Sequence, residues 1–187
     1  MAVTTIDPKT ALIVVDLQKG ITQLPTAHAM DKVVANSAKL AEVFRKHQLP
    51  VVLVNVTGGA PGRTESPMRG GERPKDWADL VPELNEQPGD IKITKQTWGA
   101  FHNTPLDKRL KDLGVTQVVV TGVATSAGAE STARSAHEHG YNVTLATDAM
   151  TDMSPEAHDN SVQRIFPRLG ETGTTDEIIS LLEKSTD

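Results

Sequence analysis

There is no cysteine anywhere in the 187 residues. That removes disulfides, thiolate zinc sites, iron–sulfur ligation and a cysteine nucleophile together. Positive charge is not in excess either: 19 Lys and Arg stand against 24 Asp and Glu, a net charge of −5, so no nucleic-acid-binding surface is expected. Apolar runs such as Ala11-Leu12-Ile13-Val14-Val15 fall far short of the roughly 20 residues that cross a bilayer, and no membrane partner is expected. The start of the chain lacks the basic region and apolar run of a secretory signal, which points to the cytoplasm. No phosphate-binding G-x-x-x-x-G-K or dinucleotide G-x-G-x-x-G motif occurs, so no nucleotide cofactor is expected. What is present is a 37% hydrophobic fraction with 14 glycines, enough for one domain with a sizeable core over residues 1–187.

Apolar, β-rich runs recur at Ala11–Val15, Pro50–Val56, Asp90–Thr94, Gln117–Thr121 and Tyr141–Ala146. Most are continuous rather than alternating, the pattern of strands buried on both faces of a parallel sheet. Helical spacing falls between them, at Met30–His47, Pro105–Leu113, Ser126–His139, Pro155–Phe166 and Thr175–Leu182. Pro105 and Gly114 supply start and stop chemistry, and Ser154 is a candidate N-cap. Alternation of this kind predicts βαβ units in a three-layer α/β/α domain with a parallel sheet of five or six strands. Thr57–Ala78 is too rich in glycine and proline for a helix or central strand, and a loop of that length reads as a lid or a subunit-contact arm.

In open parallel sheets, ligands bind beyond the carboxyl ends of the strands. Asp16 follows the first run, Lys95 the third, and the small-residue turn Gly122–Gly128 the fourth, where it opens a helix. An aspartate, a lysine and a helix start with unsatisfied N–H groups suit acid–base work on an anionic or carbonyl-containing small molecule. Each also has a structural reading: Asp16 as a turn cap, Lys95 as a solvated strand-end cation.

Three blocks, Val14-Val15-Asp16-Leu17-Gln18, Lys95-Gln96-Thr97-Trp98-Gly99-Ala100-Phe101 and Val120-Thr121-Gly122-Val123-Ala124-Thr125, resemble the signatures of the isochorismatase-like superfamily, which includes cysteine amidohydrolases such as nicotinamidase. The resemblance runs from about Thr10 to Leu182. It implies strand order 3-2-1-4-5-6, Asp16 and Lys95 as the acid–base residues, and a cis Val123–Ala124 peptide that aims the Ala124 N–H, with that of residue 128, at an oxyanion. It also implies a homo-oligomer, dimer or tetramer. Where the amidohydrolases carry their cysteine, this chain has Gly128. The thioester mechanism is therefore closed, and the branch that also has glycine there, hydrolysing vinyl ethers without a covalent intermediate, fits better, with Asp16 as the acid. Gln18, Arg63, Trp98, Phe101, Thr125 and Ser126 are the candidate substrate contacts, with Arg69 a second loop arginine. A family member that only binds a small carboxylate or amide remains open.

A serine hydrolase is the competing reading. Ala124-Thr125-Ser126-Ala127-Gly128 resembles a nucleophile elbow, and Ser126, Asp148 and His158 occur in triad order. Asp148 and His158 are only ten residues apart, however, with Pro155 starting a helix between them, and this reading leaves Asp16 and Lys95 without a role. His137 and His139 point about 200° apart on a helix, and the six histidines contain no H-x-x-x-H pair, so no metal is expected. Glu130 and Arg134 are spaced for an intrahelical ion pair.

Overall fold

In the computed structural model, which describes residues 3–65 and 72–184, the apolar runs form β1 (Thr10–Val15), β2 (Val51–Val56), β3 (Ile91–Lys95), β4 (Gln117–Val123) and β5 (Asn142–Thr151). A sixth strand, β6 (Glu171–Gly173), pairs with β5. All neighbours are parallel, in the order β3-β2-β1-β4-β5-β6. Every residue of β1 and β4 is buried, as their continuous apolar sequences require of central strands covered on both faces. The edge strand β3 instead alternates, with Lys92 and Thr94 outward and Ile93 and Lys95 inward.

The helices are α1 (Lys19–Thr22), α2 (Met30–Lys46), α3 (Leu106–Asp112), α4 (Glu130–Glu138), α5 (Pro155–Asn160) and α6 (Thr175–Lys184). Strand side chains alternate between two cores. Leu12, Val14, Leu53 and Val119 meet Val33, Leu40 and Phe44 of α2 and Ile178 and Leu182 of α6. Ile13, Val15, Val52, Val54, Val118 and Val120 meet Leu106 and Leu110 of α3, Ala133 and Ala136 of α4, and Phe166. The result is the expected three-layer arrangement.

Two helices differ from their sequence expectation. The stretch expected as one helix from Ser126 begins with a wide turn, Thr125–Ala129, in which the Ala129 N–H donates to the Ala124 carbonyl five residues back. The stretch from Pro155 is regular only to Asn160 and continues in a wider turn to Ile165 and a tighter one through Arg168; Pro167, lacking an N–H, cannot sustain an α-helical ladder there. Ser154 does cap α5, accepting from the Ala157 N–H at 3.1 Å. The described parts of Thr57–Ala78 hold no strand or helix. Its second half folds back on α1: the Lys19 and Gly20 N–H groups donate to Asp79 and Trp77, and the Trp77 ring lies where a Cβ on Gly20 would be, 2.0 Å from its atoms. Arg69 lies outside the described residues.

Candidate active site

Parallel register brings the strand ends to one level. Val15 is opposite Val54 and Gly122, and Val56 is opposite Lys95, so the residues that follow or end β1, β2, β3 and β4 share the carboxyl edge of the sheet. Asp16 leaves β1 in the left-handed region, φ 54°, which aspartate tolerates better than most residues. On β3, the period of two that buries Ile93 buries Lys95 on the same face. The Lys95 ammonium donates to Asp16 Oδ2 at 2.6 Å and to the Thr97 carbonyl at 3.0 Å.

This is a buried ion pair, the side chains 1% and 8% exposed. Burial pushes the Asp16 carboxyl up from 3.8 to about 6, although the charge and hydrogen bond of Lys95 pull it down. Desolvation therefore outweighs attraction, as is common for charges removed from water. Lys95 occupies only Oδ2. Asp16 Oδ1 is buried and makes no hydrogen bond among the described residues, leaving one oxygen to carry a proton while the other is held by the ammonium.

The turn after β4 closes the site. Gly122 has φ 107°, and a Cβ there would lie 2.0 Å from the Val15 carbonyl oxygen, so only glycine lets β4 pass β1 this closely. The Val123–Ala124 peptide is cis. The Ala124 N–H donates to no backbone acceptor among the described residues. Gly128 is buried, and a Cβ on it would stand 3.3 Å from Asp16 Oδ2, 3.0 Å from Val15 Cγ1 and 2.9 Å from the Val123 carbonyl. A side chain at 128 would thus crowd the carboxylate and the Val123 carbonyl; glycine lets the turn pack against them directly. The Thr132 hydroxyl donates to the Gly128 carbonyl at 2.7 Å and accepts from the Ala100 N–H at 3.1 Å, tying the turn to the segment beyond β3.

The remaining candidates are placed differently. Gln18 is wholly buried, and its amide is engaged with backbone: it accepts from the Val56 N–H at 2.7 Å and donates to the Val56 and Trp77 carbonyls. It staples β2 to the chain beyond β1 rather than facing a ligand. Phe101 packs in the second core against Tyr141 and His139, whereas Trp98 is 64% exposed. Arg63 is exposed on the loop after β2. Ser126, Asp148 and His158 do not assemble. Ser126 donates from both N and Oγ to Asp152 Oδ2, each at 2.8 Å; Asp148 accepts from the N–H and hydroxyl of Thr175; and His158 Nδ1 pairs with the Thr125 hydroxyl at 2.8 Å. Glu130 and Arg134 form the expected ion pair.

Sequence reasoning did not single out Asp152 or Arg73. Asp152 ends up beside the turn through β5, and only the acidic residue at that strand's end could have hinted at it. The Arg73 guanidinium lies 4.1 Å over the Trp77 ring and donates to the Thr57 carbonyl, while the Thr57 N–H donates to the Lys95 carbonyl. A cation is thereby attached to the strand end that carries Lys95. Among the described residues no three His, Asp or Glu side chains converge as a metal site, and no helix is long and apolar enough to cross a membrane.

Comparison with known proteins gives a consistent picture. The isochorismatase domain matches residues 10–177. The chain is 44% identical over 178 residues to the uncharacterized isochorismatase family protein YwoC of Bacillus subtilis, covering 91% of this chain and 93% of that one. It is 28% identical over 187 residues to a protein of Pseudomonas chlororaphis named probable isochorismatase, covering 94% and 87%. The structure of an isochorismatase family protein from Burkholderia thailandensis superposes with a TM-score of 0.92 at 38% identity, covering 96% of this chain and 98% of that one.

Proposed function

The chain belongs to the isochorismatase family of hydrolases, and on that premise we propose that it hydrolyses a small carboxylate-bearing vinyl ether, with Asp16 as general acid and no covalent intermediate. The observation that carries this reading is the Asp16 carboxyl itself: buried, raised to about 6, gripped by Lys95 on one oxygen only. A carboxylic acid that holds its proton well above the usual carboxylate range, so that a protonated fraction persists toward neutral pH, is what protonation of an enolpyruvyl carbon requires. Gly128 supports the same reading from the other side, since it supplies no nucleophile and lets the turn close on Asp16 Oδ2 with no Cβ between them.

Asp16 gives its proton to the terminal methylene carbon of the enolpyruvyl group, forming an oxocarbenium ion. Water adds to that cation and returns a proton to the Asp16 carboxylate. The hemiketal collapses to pyruvate and an alcohol. Lys95 steadies the carboxylate between the two proton transfers, and the Ala124 N–H offers a donor to the alcohol oxygen that leaves as the hemiketal collapses. Arg73, held by Trp77 and Thr57, is the side chain we assign to the substrate carboxylate. The protein acts in this reading as a cytoplasmic homo-oligomer without a cofactor.

Pyruvate release from isochorismate, followed with lactate dehydrogenase, tests the proposal. Wild type should turn over, and Asp16→Asn should lose about 10²–10⁴-fold in kcat, the range for a positioned general acid. Wild type that releases no pyruvate, or an Asp16→Asn variant as active as wild type, refutes it. Stabilisation by isochorismate in a thermal-shift measurement without turnover would instead identify a binding protein.

A further inference from the structure

We infer that His158 is a positioning residue: by holding the Thr125 hydroxyl, it fixes the turn that sets Gly128 against Asp16. Neither residue takes part in the acid–base chemistry above. Thr125 is completely buried and directly follows the Val123–Ala124 peptide. Its hydroxyl lies 2.8 Å from His158 Nδ1, a contact between the turn after β4 and helix α5. Three residues separate this anchor from Ala129, and among them Gly128 presents its bare face to Asp16, with 3.3 Å from a Cβ position to Oδ2. Ser126, between the two, is gripped by Asp152. The turn is thus pinned from outside its own helix by two side chains, and His158 holds the wholly enclosed residue at its start.

His158 is itself immobilised. The His28 ring packs on it with centroids 4.5 Å apart, and His28 is tied to the Thr151 hydroxyl through its backbone N–H at 3.1 Å and its Nδ1 at 3.0 Å. The charged and titratable groups that face His158 are His28 from the loop before α2, Asp152 from the end of β5 and Asp159 on its own helix. Burial and then His28 hold the imidazole below its ordinary value, with Asp159 and Asp152 acting the other way. A neutral ring has one acceptor nitrogen, and in the tautomer we assign, with the proton on Nε2, Nδ1 accepts a hydrogen bond from the Thr125 hydroxyl. Asp16 is faced by the Lys95 ammonium from β3 and by the backbone of the pinned turn.

Gly128 and its neighbours form one wall of the enclosure that keeps water from Asp16. Releasing Thr125 lets that wall move, water reaches the carboxyl, and its proton affinity falls toward that of an ordinary aspartate. The inference rests on Asp16 being the buried acid of the proposed reaction, but its test needs no substrate, so a failed pyruvate assay and a failure here are separate results.

The experiment follows the Asp16 carboxyl by ¹³C NMR across pH, assigned by its loss in Asp16→Asn. Thr125→Ser, which keeps the hydroxyl, and His158→Asn, which keeps an acceptor near Nδ1, should titrate with wild type at about 6. Thr125→Val and His158→Ala should titrate lower by about one pH unit or more, a tenfold loss of proton affinity. Unchanged midpoints in those two variants, whatever their melting temperatures, would reduce His158 to a packing residue and overturn the inference. Should His158→Ala fail to fold, Thr125→Val, which keeps the side-chain shape, decides. In wild type, a long-range ¹H–¹⁵N spectrum showing the proton on His158 Nδ1 at neutral pH overturns it as well.

Discussion

Replacing Asp16 with asparagine pits burial against the Lys95 ion pair in a single measurement. In the folded chain the carboxyl holds its proton up to about pH 6, against an ordinary value of 3.8. Between those two pH values the native state binds more protons than the unfolded state, so stability falls as pH rises through the window and stays low above it. At about 1.4 kcal/mol per pH unit, the fall amounts to about 3 kcal/mol. Asparagine mimics the neutral carboxyl in size and leaves Lys95 in place, so the difference in unfolding free energy, wild type minus Asp16→Asn, isolates this titration. Urea unfolding followed by circular dichroism from about pH 3 to 8 should show that difference decreasing by about 3 kcal/mol and levelling above about pH 7. A difference that increases with pH would mean that Lys95 stabilises the carboxylate more than burial penalises it. Asp16 would then titrate below the ordinary value of 3.8 and could not serve as the acid.

Lys95→Met removes both influences that lower the Asp16 value, so the same carboxyl titration should move to higher pH; a midpoint at or below that of wild type contradicts the assignment. Gly128→Cys forces a Cβ to 2.9 Å from the Val123 carbonyl and 3.0 Å from Val15 Cγ1, crowding expected to lower the unfolding free energy by about 1–3 kcal/mol; a variant as stable as wild type in urea would show that the turn has slack. Gly122→Ala places a methyl 2.0 Å from the Val15 oxygen at φ 107°, so its destabilisation should exceed the usual range of roughly 0.5–3 kcal/mol for point substitutions. Wild-type melting of that variant by circular dichroism would contradict the close crossing of β1 and β4.

The parts of this molecule that were legible from residues alone are those with a local physical signature. Continuous apolar runs mark β1 and β4 because both of their faces are covered, and Asp16 and Lys95 stand out because a charge directly after such a run has to be explained. The three residues of β6, Glu-Thr-Gly, carry no apolar pattern and become a strand only because β5 offers them an edge. The networks around the turn are equally silent in sequence: Asp152 meets Ser126 across 26 residues and His158 meets Thr125 across 33, separations at which no periodicity survives. Order along the chain even misleads there, since Ser126, Asp148 and His158 read as a triad while folding sends each to a different partner. Phe101 and Trp98 show the limit of local reading in another way. They lie three residues apart in one motif, yet one fills the core and the other faces solvent.

Lys95 belongs to β3, the outermost strand, whereas Asp16 follows β1 at the middle of the sheet, and all of β2 lies between them. The ion pair is therefore a clasp across the top of three strands, fastening a border that is otherwise hydrogen-bonded along one side only. Any small molecule that bridges the two residues tightens that clasp. Slowed amide exchange along Ile91–Lys95 would report occupancy of the centre from its periphery.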